Sequence, residues 1–164
     1  MFDFYELFMY LNQAYRCEKV GREHFDVFHQ QLLQFPGNIN EQESEENVKN
    51  TLSFFLKESL YKNHRVNTRG RTDLVVHHGD KATSPVGILF EAKRPANETE
   101  MIRKYRPTCK ALQELVLYYF REREEEKNTE IKHLVITNMH QWFIFDEVSA
   151  WTELIEALPG ARPT

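Results

Sequence analysis

Hydrophobic positions recur at helical spacing in three stretches of the chain. Near its start, Phe4, Leu7, Phe8 and Leu11 follow one such stripe, and Phe25, Phe28, Leu32 and Phe35 follow another. Gly21 separates the two, and Pro36-Gly37-Asn38 supplies a stop. This predicts a pair of helices within residues 1–36, with the aromatic residues as core. After a polar linker over 38–43, Ser44 has the chemistry of an N-cap. Glu45 and Glu46 follow in the first turn, where the helix dipole favours acids. Val48, Leu52, Phe55, Leu56 and Ser59 then share a face, which predicts a helix over 45–61. A further helix is predicted from Cys109 to Glu126, with Leu112, Leu115, Val116 and Tyr119 inward and the run REREEEK solvated.

The remaining apolar stretches have strand character. His64–Thr68 is a short extended run, Arg69-Gly70-Arg71 a turn, and Thr72–His78 a strand. Gly79-Asp80 turns the chain, and Val86–Lys93 is a second strand. Its continuous Ile88-Leu89-Phe90 run implies burial on both faces, as at the centre of a sheet. Ile131–Thr137 and Gln141–Phe145 form a hairpin about the turn Asn138-Met139-His140. Residues 151–158 suit a short helix, and Pro159–Thr164 a loose tail. Helix, three strands, helix and two strands make an α/β fold with a mixed sheet between helices.

Composition narrows the class. With 164 residues, 41% hydrophobic and 28% charged, the chain fits one globular domain able to bury a core without covalent staples. Cys17 and Cys109 stand far apart, which argues against a disulfide scaffold or zinc knuckle and suits a reducing cytoplasm. No apolar run approaches a membrane span. The opening MFDFYELFMY carries Asp3 and Glu6 and lacks the basic start of a signal peptide. A cytoplasmic location without membrane contact is therefore expected. The net charge is −4, unevenly spread. From Lys57 to Lys110 twelve basic residues face six acidic ones, so an acidic protein can still present a positive middle.

That middle contains the candidate chemistry. Asp73 opens one strand, and Glu91-Ala92-Lys93 closes the next. Residues two apart in a strand share a face, so Glu91 and Lys93 project together. If the two strands are antiparallel neighbours, Asp73 lands beside them. Two converging carboxylates call for a counter-charge, and Mg²⁺ binds typically through one or two carboxylates plus waters and phosphate oxygens. Such a metal lowers the pKa of bound water and stabilises charge on a phosphate. Lys93 would position or activate the water. The implied reaction is phosphodiester hydrolysis, and Arg69, Arg71, Arg94 and Lys104 are candidate phosphate contacts. Replacing Glu91 or Lys93 by Ala is expected to abolish cleavage and leave folding intact, as for residues at an open cleft.

Other reactive residues fit simpler roles. His77, His78, His133 and His140 match no zinc spacing. Cys109 has no histidine placed in sequence as its base, and Thr83 and Ser84 lack a nucleophile elbow. Trp142, Phe143 and Phe145 suit core packing better than base stacking.

The order of these blocks resembles the PD-(D/E)XK nuclease superfamily, with TDLVV and FEAK as its two half-motifs. The runs SEENVKNTLSFFLKESLY, NTRGRTDLVV, SPVGILFEAKRP, ALQELVLYYFRERE and IKHLVITNMHQWFIFD are similar to the N-terminal endonuclease domain of type IIG restriction-modification enzymes. The resemblance covers residues 43–147. It implies a restriction-endonuclease-like core, a central mixed β-sheet flanked by helices in the order αβββαβ. An N-terminal helical extension over 1–42 would precede it, and a C-terminal helix and tail over 148–164 would follow. It implies Asp73 and Glu91 as metal-binding acids, Lys93 as the catalytic lysine, and Mg²⁺ as cofactor with Mn²⁺ able to substitute. An acid of the first core helix often joins such sites. Glu45, which shares the inward face with Val48 and Leu52, is the candidate. Glu46 lies about 100° round the helix. Gln113, followed here by Tyr118 and Tyr119, is a possible accessory residue, the alternative being a solvated side chain.

The implied partner is double-stranded DNA, cut by a transient homodimer if both strands are cleaved. Type IIG enzymes continue into a methyltransferase and target-recognition region, and no glycine-rich cofactor loop or N-P-P-Y/F motif occurs in these residues. The chain is then expected to be a nuclease domain or fragment served by a separate recognition region, or to act alone. The alternative function is a non-catalytic DNA-binding or regulatory module on the same scaffold.

Overall fold

The computed structural model describes residues 19–69, 72–103 and 109–146. The predicted helix before Gly21, the C-terminal helix and tail, and the side chains of Arg71 and Lys104 lie outside them.

Helix α1 spans Arg22–Gln34 and passes into a 3₁₀ turn, Phe35–Asn38, where Pro36 removes the donor that would continue the helix. Helix α2 spans Glu45–Ser59. The Ser44 side chain accepts a hydrogen bond from the Asn47 N–H at 3.3 Å, and Glu45 and Glu46 occupy the positive end of the helix dipole. Strands β1 (Val66–Arg69), β2 (Thr72–His77) and β3 (Val86–Ala92) follow, then α3 (Lys110–Glu124) and the hairpin β4 (His133–Thr137) and β5 (Trp142–Asp146). At the β4–β5 turn Met139 adopts a φ of 74°. The turn is fastened by the Thr137 hydroxyl accepting from the Met139 N–H and by the Asn138 side chain accepting from the Gln141 N–H.

The five strands form one mixed sheet in the spatial order β1-β2-β3-β4-β5. Only β3 and β4 run parallel, and α3 makes the crossover between them. Every residue of β3 is buried, as its apolar run predicts for a central strand. The sheet separates two cores. On one side Val75, Leu89, Leu134 and Ile136 pack against Leu112, Leu115, Val116 and Tyr119 of α3. On the other, Leu74, Val76, Ile88, Phe90 and Val135 pack against Val48, Leu52, Phe55 and Leu56 of α2, with Phe35 closing the layer.

Helix α1 departs from the predicted pattern. Phe35 is buried and Phe28 half-buried, but Phe25 and Leu32 are 54% and 44% exposed. The helix meets the core through Phe28, at its middle, and the 3₁₀ turn that follows does so through Phe35, both against Phe55. In β5, Trp142 packs on the α2 side and Phe143 and Phe145 on the α3 side, consistent with packing residues, while Ile144 is exposed.

Candidate active site

The antiparallel register Leu74↔Phe90 brings the start of β2 beside the end of β3. Asp73 and Glu91 therefore share the sheet face that carries Val75 and Leu89, the face covered by α3. Asp73 is pinned by its own strand neighbour: its Oδ2 accepts the Ala92 N–H at 2.9 Å, inside the protein. One residue beyond β3, the Lys93 N–H donates to the Thr137 carbonyl at 2.8 Å. That bond continues the β3–β4 ladder and holds Lys93 on the same face as Glu91.

Burial is nearly complete at the three residues: Asp73 is 9%, Glu91 1% and Lys93 4% exposed. The ammonium of Lys93 lies 2.6 Å from Glu91 Oε1, 2.6 Å from Glu114 Oε2 and 3.5 Å from Glu100 Oε2. Lys49, from α2, closes the other flank with its ammonium 2.7 Å from Asp73 Oδ1. Lys110 bridges Glu100 and Glu114 at the rim. The second oxygen of Glu91, Oε2, is buried and has no hydrogen-bond partner.

These contacts set the electrostatics. Burial and the negative charge of Asp73 push the Glu91 carboxyl up to about 8, against the bonds from Lys93. Burial opposes the charge on Lys93, but the hydrogen bonds it donates to Glu114 and Glu91 outweigh this and raise its pKa. Lys49 is likewise raised by Asp73 against the cost of burial, with smaller contributions from Glu46 and Glu45. Tyr118 is pushed up to about 12 by burial, then by the negative charges of Glu91, Asp73 and Glu114.

The other predicted residues are distributed differently. Glu45 is half-buried and Glu46 exposed. Among the described residues neither forms a hydrogen bond or ion pair with Asp73 or Glu91, and α2 reaches the site through Lys49, one turn beyond Glu45. Gln113 is exposed on α3, and its neighbour Glu114 is the residue that meets Lys93. Arg94 is exposed, with its Nε donating to the Glu43 carbonyl at 3.1 Å. Arg69 is neutralised by Glu122 at 3.5 Å and Glu126 at 2.9 Å on the C-terminal half of α3. It lines a cavity of about 350 Å³ with the β2–β3 loop that includes none of Asp73, Glu91 and Lys93. Lys93 is also no cleft residue. It is a buried cation between carboxylates, so replacing it by Ala would cost stability as well as any activity.

Lys49, Glu114 and Glu100 escaped the sequence reading. Lys49 precedes Leu52 and Leu56 by three and seven residues on the buried face of α2, and a charge at such a position was a usable signal. Glu114 precedes Tyr118 by one turn at the margin of the buried stripe of α3. Glu100 lies in a loop, where no periodicity announces it.

A divalent cation suits this donor set. Asp73 Oδ1 and Glu91 Oε2 are hard oxygens, and Glu91 Oε2 is otherwise unsatisfied. Among the described residues no group of three or more His, Cys, Asp or Glu is arranged as a metal cage. Two carboxylates that leave coordination positions to water and substrate correspond to the way Mg²⁺ is usually held. No helix among the described residues is long and apolar enough to cross a membrane.

The chain belongs to the family described as a domain of unknown function, DUF7149, whose profile matches residues 6–154. No curated protein and no solved structure matches it.

Proposed function

We propose that this protein is a metal-dependent DNA endonuclease domain of the PD-(D/E)XK type, hydrolysing phosphodiester bonds as the nuclease part of a type IIG-like restriction-modification enzyme. The observation that carries the reading is the convergence of Asp73, Glu91 and Lys93 at one end of the sheet, with Glu91 Oε2 buried and without a partner. The order of helix, three strands, crossover helix and strand supports it, as do the resemblances in the TDLVV and FEAK segments.

In this reading Asp73 and Glu91 would hold Mg²⁺, with Mn²⁺ able to replace it. The metal would supply an acidified water and charge neutralisation at the phosphate. The chain's own contribution is positional and electrostatic. Glu114 and Glu91 keep Lys93 protonated, so Lys93 orients the water and offsets charge on the phosphate; it does not take up a proton. Asp73 is fixed through Oδ2 by the Ala92 N–H, and its remaining oxygen, Oδ1, meets the Lys49 ammonium. Arg94, exposed one residue beyond Lys93, is the nearest candidate contact to DNA phosphates. A partner region for target recognition, cytoplasmic location and pairing of two chains for double-strand cleavage belong to the same proposal.

The test is nicking of supercoiled plasmid by the purified chain in Mg²⁺ or Mn²⁺, beside Glu91→Gln and Lys93→Ala, each checked for folding by its Tm. Metal-dependent nicking lost in folded Glu91→Gln supports the nuclease. Nicking retained in that variant overturns the assignment. DNA binding without metal-dependent cleavage would favour the non-catalytic module instead, a reading to which the pairing of both lysines with carboxylates lends some support.

A further inference from the structure

We propose that Lys49 is a built-in counter-ion that occupies the cation position of this site and must be displaced before a divalent metal can bind. The inference rests on the metal-dependent reading above and concerns how that site is controlled. It follows from counting free oxygens. Asp73 commits Oδ2 to the Ala92 N–H, which leaves Oδ1 as its oxygen for an ion. Lys49 holds that oxygen at 2.7 Å. Glu91 commits Oε1 to Lys93, which leaves Oε2, buried and unpartnered. A cation bridging the two acids would use Oδ1 and Oε2, and one of these is already taken by an ammonium.

Lys49 is suited to leave. It belongs to α2, packed in the opposite layer, and reaches the end of the sheet on a flexible four-carbon stem. Its side chain is 17% exposed, so a path to solvent exists. Glu45 precedes it by four residues, the favourable order for an acid–lysine pair on a helix. Glu45 thereby becomes an acceptor for the released ammonium, in place of the metal-ligand role its position suggests. The two lysines then differ in kind. Lys93 is locked by two carboxylates and stays, whereas Lys49 has one strong partner and that partner is the metal's own ligand.

Calorimetric titration of Mn²⁺ into the full chain and into Lys49→Met tests this. Removal of the competing charge should tighten Mn²⁺ binding by about tenfold or more. Asp73→Asn added to Lys49→Met should remove the gain. Binding in Lys49→Met equal to or weaker than wild type overturns the inference and leaves the metal site standing. Absence of Mn²⁺ binding in both chains overturns the metal reading and this inference together. A second measurement needs no variant: the rate of amine acetylation at Lys49, followed by mass spectrometry in the wild-type chain. It should rise at saturating Mg²⁺ as Lys49 leaves Asp73, and an unchanged rate overturns the displacement.

Discussion

Glu91 lies between a cation and two other carboxylates, with one oxygen satisfied and one not. Its carboxyl is pushed up to about 8 by burial first and Asp73 second, from an ordinary value of 4.5. The folded chain therefore holds a proton that the unfolded chain releases more readily. The stability this contributes is complete below about pH 4.5 and is lost as pH rises through about 8. Lys93 is raised as well, but its contribution declines only above 10.5, outside that window. In metal-free buffer the Tm of the wild type should fall between pH 4.5 and 8 relative to Glu91→Gln, which has no proton to lose at that position. Parallel Tm curves for the two chains would refute the shift. A metal needs the ionised form, so Mn²⁺ affinity should increase with pH up to about 8 and then level off. Calorimetry at pH 6, 7 and 8.5 measures this directly. At this scale the sequence was informative where a rule of spacing applied. Asp73, Glu91 and Lys93 were legible because strand alternation and an antiparallel turn determine which side chains meet. Lys49 was legible only as a charge on the buried face of a helix, and Glu100 not at all, because their approach depends on how a helix and a loop pack against the end of the sheet.

Helices and strands followed the hydrophobic pattern closely wherever packing and pattern agree. Ser44 starts α2 by capping it, and the buried residues of α2 and α3 include the apolar ones whose spacing predicted an inward face, while Ser59 is only half-buried. Strand β3 is buried throughout, and apolar over Ile88-Leu89-Phe90, because both of its faces are covered. Helix α1 broke the rule, since a periodic apolar stripe records a helix but not what will lie against it. The same face logic yields a pair of stability predictions on α3. Leu115 is 1% exposed and packs under the sheet, so Leu115→Ala should cost about 2–5 kcal/mol. Leu117 is 47% exposed two residues later, and Leu117→Ala should change stability by less than about 0.5 kcal/mol. Urea unfolding of the two variants separates them. Similar midpoints would mean that α3 is rotated from the arrangement that also brings Glu114 to Lys93.

Across the molecule, the sheet separates two cores, and the candidate site lies at the end of β3. The α3 core closes over β2, β3 and β4, whereas the α2 core covers β1 to β4 and carries α1 at its margin. Helix α1 has no buried residue of its own and is fastened mainly through aromatic contacts with Phe55. Local opening should therefore be graded by distance from the central strands, since amides are released by the least-packed units first. Native-state hydrogen exchange is expected to show the amides of α1 exchanging well before those of β3 and β4. The β3 and β4 amides should exchange only through global unfolding, their rates tracking the urea-derived stability. Phe35→Ala would sharpen the contrast. Phe35 is 5% exposed and lies 4.4 Å, ring to ring, from Phe55, so its loss should detach α1 while leaving β3 protection largely in place. If α1 and β3 instead exchanged together in the wild type, the N-terminal helix would be an integral part of the folding unit, and truncating it would be expected to unfold the site as well.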